Sequence, residues 1–262
     1  MAAPISLAHY PLAETFGSRL SVPHLHRREV QVWHVATGEV GDESILSPTE
    51  RARLHRFKRR SDRLRFITAA TLLRTVASHH IGVPPAQLEV SRNCPTCPRP
   101  HGKPRLPTTS LEVSVAHSCD RVVLAVTLMG PVGVDLERLS PEIDIDRIAL
   151  SILDPSEVMP ESAHLKQAAF LRYWTRKEAV VKAIGTGLRV PLRDVVVTPH
   201  DQPARLLRLR QASFPRVILE DVHIDGDYLA SVAVQTSEAC DVTIHTPTKN
   251  FERQGFPQPI RS

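Results

Sequence analysis

Hydrophobic and polar residues alternate in several short stretches of the chain, which is the pattern of a β-strand with one buried face. In the first half the alternation predicts strands at residues 29–37, 111–118 and 121–129. A glycine–proline turn then leads to another predicted strand within GPVGVDLERLSP, residues 130–141. Four more strands are predicted in the second half, within residues 194–199, 203–210, 216–224 and 227–236.

Two stretches repeat their hydrophobic residues with the period of an α-helix. The first covers about residues 62–80, after a shorter helix whose start, SPTE at residues 47–50, is typical of an N-terminal cap. The second covers residues 165–188 and is expected to stop at its two glycines. Residues 91–110 are expected to form a long loop, and no helix or strand is predicted in the polar, proline-containing residues 140–164.

Two pairs of segments are similar at one common spacing. Shifted by 108 residues, the helical segment 70–77 superimposes on 178–185, and the strand segment 122–127 superimposes on 230–235. Agreement of two unrelated elements on one shift indicates an internal duplication, although short apolar segments also resemble one another by chance. We therefore expect an α+β fold, built as a pseudo-dimer of two similar α+β halves with a ligand cleft between them.

The expected domain boundaries follow from this duplication. Residues 1–130 are predicted to form an N-terminal α+β half with a lead-in segment, and residues 131–244 a C-terminal α+β half. Residues 245–262 are expected to form an irregular tail. An internally duplicated chain of this kind is expected to be a monomer.

The composition is that of an ordinary globular protein. The chain has 262 residues, of which 42% are hydrophobic and 23% charged. No apolar stretch approaches the roughly 20 residues that cross a bilayer, and the N-terminus lacks the pattern of a signal peptide. The sequence therefore predicts a cytoplasmic protein that is not inserted in a membrane.

Positive charge is concentrated in one segment, residues 50–66, which has eight Lys and Arg residues against one Glu and one Asp. Such a cluster suits a phosphate-bearing ligand or an acidic protein surface, but it is also compatible with a solvated helix face. Nucleic-acid binding is an alternative that no aromatic RNA-binding motif or zinc-finger spacing supports.

Cysteine use gives little indication of a metal site. Cys94 and Cys97 form one CxxC pair, and His101 could add a third ligand. A zinc site usually needs a second pair, which the sequence lacks, so a reduced pair of cysteines in a loop is favoured.

Acidic residues interrupt the strand that follows the glycine–proline turn. Asp135 and Glu137 are two residues apart, so in an extended chain they share the face opposite to Val134 and Leu136. Two carboxylates this close need a positive partner. A divalent cation such as Mg²⁺, which prefers oxygen ligands, would satisfy that need.

The long helix of the second half adds Glu178 and Lys182, four residues apart and therefore on one face. By itself such a pair is usually a surface salt bridge, but with the strand acids it completes three carboxylates and one cation. His117 ends a neighbouring strand and could contact phosphate or handle a proton. Lys103, between a glycine and a proline, could be a positioned phosphate ligand, although exposed loop lysines are commoner.

These motifs together resemble one family. VGVDLERL, followed about 40 residues later by WTRKEAVVKAIGTGL, is similar to the paired signature of the 4′-phosphopantetheinyl transferases. The upstream segments RFKRRSDRLRF, HGKP and VAHS resemble the Sfp-type subfamily in the same order. The resemblance covers roughly residues 45–235, with two departures. Ala116 stands where the family commonly has serine, and an insertion with Cys94 and Cys97 precedes HGKP.

The resemblance implies a fold of two α+β halves with coenzyme A bound between them. It implies Mg²⁺ held by Asp135, Glu137 and Glu178. It also assigns residues to the phosphates and adenine of the coenzyme, namely His117, Lys182, Lys103, Arg53 and Arg65.

The function implied is Mg²⁺-dependent transfer of 4′-phosphopantetheine from coenzyme A to a serine of an apo acyl or peptidyl carrier protein, releasing 3′,5′-ADP. Glu178, Lys182 and His117 are the expected catalytic residues, with Glu178 as the base directly or through a water. Fatty-acid, polyketide and non-ribosomal peptide carriers all remain open. The alternatives are a non-catalytic module that binds carrier proteins or nucleotides, and a basic nucleic-acid-binding protein.

Overall fold

The structure, a computed structural model, describes residues 20–94, 102–139, 144–185, 187–210 and 216–247. Its first half contains β1 (Glu29–Ala36), α1 (Pro48–Leu54), α2 (Arg60–Ile81), β2 (Glu112–Ser118) and β3 (Arg121–Thr127). The rest contains β4 (Val132–Arg138), α3 (Ile145–Ile152), α4 (Ala163–Ile184), β5 (Val195–Val197), β6 (Leu206–Leu209), β7 (Val217–Val222), β8 (Tyr228–Gln235) and β9 (Asp241–His245). The fold is α+β, as predicted.

The strands form three sheets. A four-stranded sheet has the order β2-β3-β1-β9, a three-stranded sheet the order β4-β8-β7, and β5 pairs with β6. Neighbouring strands are antiparallel, except that β9 lies parallel to β1. In the four-stranded sheet β3 lies between β2 and β1, and in the three-stranded sheet β8 lies between β7 and β4.

The core is arranged in layers. Helix α2 packs Leu72, Leu73 and Val76 against one face of the four-stranded sheet. The other face of that sheet packs against the three-stranded sheet in a second apolar cluster. Helix α4 covers the far face of the three-stranded sheet, where Ala233 of β8 meets Val181. None of the described helices is long and apolar enough to cross a membrane.

Two elements were not predicted from the sequence. Helix α3 lies in the polar stretch 140–164, where its eight residues are too few to give a clear helical period, and it begins at an Asp144 cap. Strand β9 has only two apolar residues, Val242 and Ile244, and pairs with β1 from far along the chain.

The duplication shift needs one correction. Helices α2 and α4 each have 22 residues and end at Gly82 and Gly185, both in the left-handed conformation and 103 residues apart. Strands β3 and β8 end at Thr127 and Gln235, which are 108 residues apart. A single shift of 108 residues therefore aligns the ends of these strands but not the ends of these helices.

Candidate active site

The site is built where α4 packs on β4. At Gly133 the two elements are so close that a Cβ atom would overlap the carbonyl oxygen of Ala179 and lie 2.5 Å from the amide nitrogen of Ala183. Asp135 and Glu137 follow on the same face of the strand, because side chains two residues apart share a face. The glycine therefore lets the helix approach these acids closely.

The opposite face of β4 is apolar. Val132, Val134 and Leu136 are buried in the cluster between the two larger sheets. The predicted alternation along this strand, apolar on one face and acidic on the other, is thus confirmed. Asp135 and Glu137 therefore lie on the side of the strand that α4 covers.

Asp135 and Lys182 form the central contact of the site. Lys182 Nζ donates to Asp135 Oδ1 at 2.6 Å and to the carbonyl oxygen of Val134 at 3.1 Å. The Asp135 residue is only 5% exposed, and its Oδ2 has no hydrogen-bond partner among the described residues. Burial raises the pKa of the Asp135 carboxyl, and the Lys182 ammonium offsets part of that rise.

Glu137 and Glu178 lie close enough to Asp135 to interact electrostatically. Burial raises the pKa of Glu137, the charges of Asp135 and Glu178 add to the rise, and a hydrogen bond from Ser118 opposes it. Burial also raises the pKa of Glu178, with Asp135 as the next cause. The fold therefore concentrates the three predicted carboxylates in one region of partly buried negative charge.

These carboxylates do not form a metal site as their side chains are arranged. Within the described ranges, no group of three or more His, Cys, Asp or Glu residues is positioned to hold a metal ion. The positive partner in direct contact is Lys182, which pairs with Asp135. Cys97 and His101 lie outside the described residues, so the prediction for the CxxC segment stays untested.

His117 lies beside this region near the end of β2. Although the residue is exposed, partial desolvation of its ring lowers the pKa of the imidazole, and the positive charges of Arg65, Lys182 and Arg53 lower it further. These effects favour the neutral form of the ring. The influence of Lys182, from the C-terminal half, on a histidine of the N-terminal half places both near the seam between the two larger sheets.

Arg65 and Arg53 approach the same seam from the N-terminal helices. Arg65 Nη1 donates to the carbonyl oxygen of Cys119 at 3.1 Å, and its guanidinium pairs with Asp62. The Arg53 guanidinium lies 5.2 Å from the centre of the Phe66 ring. Both arginines therefore belong to the surroundings of His117.

Lys103 lies in the segment before β2, and its side chain reaches the start of that strand. Its Nζ is 3.8 Å from Glu112 Oε2, at the start of the strand, whereas His117 is five residues further along, or about 17 Å in an extended strand. Burial lowers the pKa of Lys103 to about 8. A long ligand would be needed to contact Lys103 and His117 together.

Sequence reasoning missed two residues of the site. Gly133 allows the close helix approach, and Ser118 donates from Oγ to Glu137 Oε2 at 2.8 Å. A glycine between apolar residues in a predicted strand is a signal for close backbone approach. The partner of Ser118 lies on another strand, so no local pattern could have identified it.

Known proteins are similar to both halves of the chain. The model of the 4′-phosphopantetheinyl transferase superfamily matches residues 131–233, which include the acid strand and α4. A model described as 4′-phosphopantetheinyl transferase, N-terminal, matches residues 33–129.

Individual relatives match over most of their length. The 4′-phosphopantetheinyl transferase HetI of a Nostoc species is 29% identical over 221 residues, which are 79% of this chain and 87% of the relative. A Synechocystis protein named "Putative 4′-phosphopantetheinyl transferase slr0495" is 30% identical over 230 residues, with 81% and 89% covered. The 4′-phosphopantetheinyl transferase Sfp of Bacillus subtilis is 25% identical over 191 residues, with 72% and 82% covered.

The chain belongs to the 4′-phosphopantetheinyl transferase superfamily, an enzyme class. The resemblance read from its motifs is thereby confirmed.

Proposed function

We propose that this enzyme transfers 4′-phosphopantetheine from coenzyme A to a serine of an apo acyl or peptidyl carrier protein, with Mg²⁺, releasing 3′,5′-ADP. The observation that carries the proposal is the contact of Lys182 with Asp135 beside Glu137 and Glu178, within the segment that matches the superfamily. Phosphoryl transfer depends mainly on positioning and on stabilising charge at the phosphate oxygens.

The acids fit a hard divalent cation by their chemistry. Asp135, Glu137 and Glu178 offer only oxygen ligands, and Asp135 Oδ2 is buried without a hydrogen-bond partner among the described residues. When bound, Mg²⁺ would supply positive charge next to the pyrophosphate of coenzyme A. We assign these three carboxylates as its ligands.

The surrounding cations are proposed to bind the phosphates. Lys182 and the neutral His117 would contact phosphate oxygens near the reacting phosphorus, with Arg53 and Arg65 toward the 3′-phosphate and adenine. Lys103, whose side chain lies near the start of β2, would also contact the phosphates of the coenzyme.

Glu178 is proposed as the base. Burial and the charge of Asp135 raise its pKa, which makes it a better proton acceptor than an exposed glutamate. The carrier serine oxygen forms a new bond to the phosphorus that carries the pantetheine arm, and the bond to 3′,5′-ADP breaks. The serine proton passes to Glu178, directly or through a water.

The test is incubation with an apo carrier protein, coenzyme A and Mg²⁺, followed by mass spectrometry of the carrier. We expect the mass of one phosphopantetheine group on its acceptor serine and release of 3′,5′-ADP. Absence of that mass gain across fatty-acid, polyketide and non-ribosomal peptide carriers would overturn the proposal. The carrier with the highest kcat/KM would indicate the pathway.

The two alternative functions predict different binding behaviour. A non-catalytic carrier or nucleotide binding module would bind without modifying the carrier. A nucleic-acid-binding protein would bind DNA or RNA with an affinity that falls steeply with salt. We expect instead that coenzyme A raises the melting temperature only when Mg²⁺ is present.

We further propose that the fold is a pseudo-dimer of two similar halves, 1–130 and 131–244, with coenzyme A between them. The order of elements supports this, because β1, α2, β2 and β3 have counterparts in β4, α4, β7 and β8. Strand β9 at Asp241–His245 joins the sheet of the first half rather than that of the second half. The proposed boundary therefore divides the sequence, while the packing of β9 crosses it.

Two buried ion pairs also support the duplication. Glu50, in the cap of α1, pairs with the buried Arg74 of α2, and Glu157 pairs with the buried Lys177 of α4. Each cation also donates to backbone carbonyls of the segment that follows its helix. These glutamates end the similar segments SPTE, residues 47–50, and DPSE, residues 154–157.

A pseudo-dimer satisfies its own two-fold interface within one chain, so we expect a monomer in solution. Light scattering coupled to gel filtration would measure a mass near 29.1 kDa. A stable dimer would contradict this expectation. The cytoplasm remains the predicted compartment.

The basic corner between α1 and α2 is proposed to attract the acidic carrier. Arg56, Lys58, Arg59, Arg60 and Arg63 are all exposed there. The two acids of this segment are already engaged, Glu50 with Arg74 and Asp62 with Arg65. Charge of this kind acts mainly on the rate of encounter, so its contribution would weaken with salt.

A further inference from the structure

Strands β2 and β4 meet at the seam between the two larger sheets, but side chains rather than a backbone ladder join them. Ser114 Oγ accepts a hydrogen bond from the Val134 amide at 3.1 Å. Four residues later Ser118 Oγ accepts one from the Arg138 amide at 3.2 Å. The two serines therefore make equivalent contacts with the edge strand of the three-stranded sheet.

Only Ser118 makes a second contact with a site residue. Its hydroxyl donates to Glu137 Oε2 at 2.8 Å while its oxygen accepts from the Arg138 amide. Ser114 contacts no carboxylate within the part of the chain that the structure describes. Because a hydroxyl can donate one bond and accept others, Ser118 ties the Glu137 side chain to a fixed point of the backbone.

The turn that follows Ser118 is held from both halves. Cys119 has a left-handed backbone, with φ at 49°, and its carbonyl oxygen accepts from Arg65 Nη1. The next residue, Asp120, accepts a hydrogen bond from the hydroxyl of Tyr228 on β8. The end of β2, and with it the Ser118 hydroxyl, is thus fixed relative to both sheets.

Glu137 needs such a tether because its neighbours repel it. The charges of Asp135 and Glu178 both act on its half-buried carboxylate. Without the hydroxyl, the side chain would be expected to turn away from the other two acids toward water, since like charges separate when nothing holds them.

We propose that Ser118 is a positioning residue, which keeps the Glu137 carboxylate beside Asp135 and Glu178, the acids proposed to hold the divalent ion. The inference rests on the proposed function, because it assumes that these acids hold a metal. Residues that orient a metal ligand through a hydrogen bond typically change metal affinity by about 10- to 100-fold when they are removed.

The test compares Ser118→Ala with Ser114→Ala, since each removes one serine hydroxyl from the same seam. Binding of Mn²⁺ in the presence of coenzyme A is measured by electron paramagnetic resonance, alongside the Mg²⁺ concentration that half-activates transfer. In Ser118→Ala we expect the Mn²⁺ dissociation constant and the half-activating Mg²⁺ concentration each to rise about 10-fold. In Ser114→Ala both should stay within about two-fold of the wild-type values. Ser118→Thr, which keeps the hydroxyl, should recover most of the affinity.

Thermal unfolding separates positioning from stability. If both alanine variants lose similar stability and weaken Mn²⁺ binding equally, Ser118 is only a structural residue of the seam and the proposal fails. Unchanged Mn²⁺ binding in Ser118→Ala also overturns it. If the wild-type protein transfers phosphopantetheine but Ser118→Ala binds Mn²⁺ as tightly as wild type does, only this inference fails. If the wild-type protein neither binds Mn²⁺ nor transfers the group, the proposed function fails with it.

Discussion

At the scale of single residues, the electrostatics of the site depend on a carboxylate kept away from water. Asp135 is nearly buried, so the free energy of its charged form depends on Lys182, 2.6 Å away, more than on solvent. The same partial burial raises the pKa values of Glu137 and Glu178. The three acids and one lysine must therefore be considered as one coupled group.

Replacing Asp135 with Asn keeps the size of the side chain and removes its charge. We expect kcat/KM for transfer to fall by at least about 100-fold, as is typical when a group that stabilises the transition state is lost. The matched control is Glu238→Gln, because Glu238 forms an exposed ion pair with Arg28. Full activity of the Asp135 variant would remove it from the proposed ligand set.

Lys103 predicts a pH dependence of coenzyme binding. Burial lowers its pKa to about 8, so its positive charge is lost as the pH rises through 8. We expect the KM for coenzyme A to rise by up to about ten-fold between pH 7.5 and pH 9. Lys103→Arg, whose guanidinium stays charged, should abolish that rise. An identical pH profile in both proteins would indicate that Lys103 does not contact the coenzyme.

At the scale of elements, one close approach determines the site. Helix α4 touches β4 at Gly133, and the same packing brings Lys182 to Asp135. The helix presents Glu178 and Lys182 together because they are one turn apart. A change in the spacing between strand and helix would move both groups at once.

Gly133→Ala tests this spacing. The added methyl group would collide with backbone atoms of α4, which cannot move aside as a flexible side chain could. We expect a loss of about 1–3 kcal/mol in the free energy of unfolding, measured with urea, together with a loss of transfer activity. The control Gly41→Ala would meet only Ile67 at an ordinary 3.6 Å and should change stability little. Equal effects of the two substitutions would contradict the proposed role of the packing.

At the scale of the whole molecule, a buried polar network outside the candidate site links stability to pH. The His80 ring hydrogen-bonds to Gln31 at 3.2 Å, and Gln31 also accepts from the Trp33 indole. Burial, with His79, His24 and His245 nearby, lowers the pKa of His80 to about 4. The native state therefore favours the neutral ring.

The sign of the resulting pH effect follows from linkage. Between about pH 6.5 and pH 4 the unfolded chain binds a proton at His80 and the native chain does not, so stability falls as the pH falls. Because the side chain is partly exposed, we expect this residue to contribute about 1–2 kcal/mol of that loss. Urea unfolding at pH 7 and pH 4.5 should show a smaller difference in His80→Gln than in wild type. An equal loss of unfolding free energy between pH 7 and pH 4.5 in the two proteins would contradict the assignment of this pH effect to His80.

The sequence by itself determined which residues share a face. The alternation in β4 separated Asp135 and Glu137 from the apolar side, and helical spacing joined Glu178 to Lys182, because local periodicity follows directly from backbone geometry. The family motifs, confirmed by the comparisons, identified the enzyme class. The predicted metal ligands and base stay predictions.

Only the tertiary structure decided which faces meet. It showed that Lys182 contacts Asp135, that Ser118 from another strand holds Glu137, and that Lys103 lies toward the other end of β2. Helix α3 and strand β9 were likewise identified only in the structure, because contacts with other elements stabilise them more than their own short sequences do. Contacts between distant parts of the chain depend on how closely whole elements pack, and a local sequence pattern does not determine the distance between packed elements.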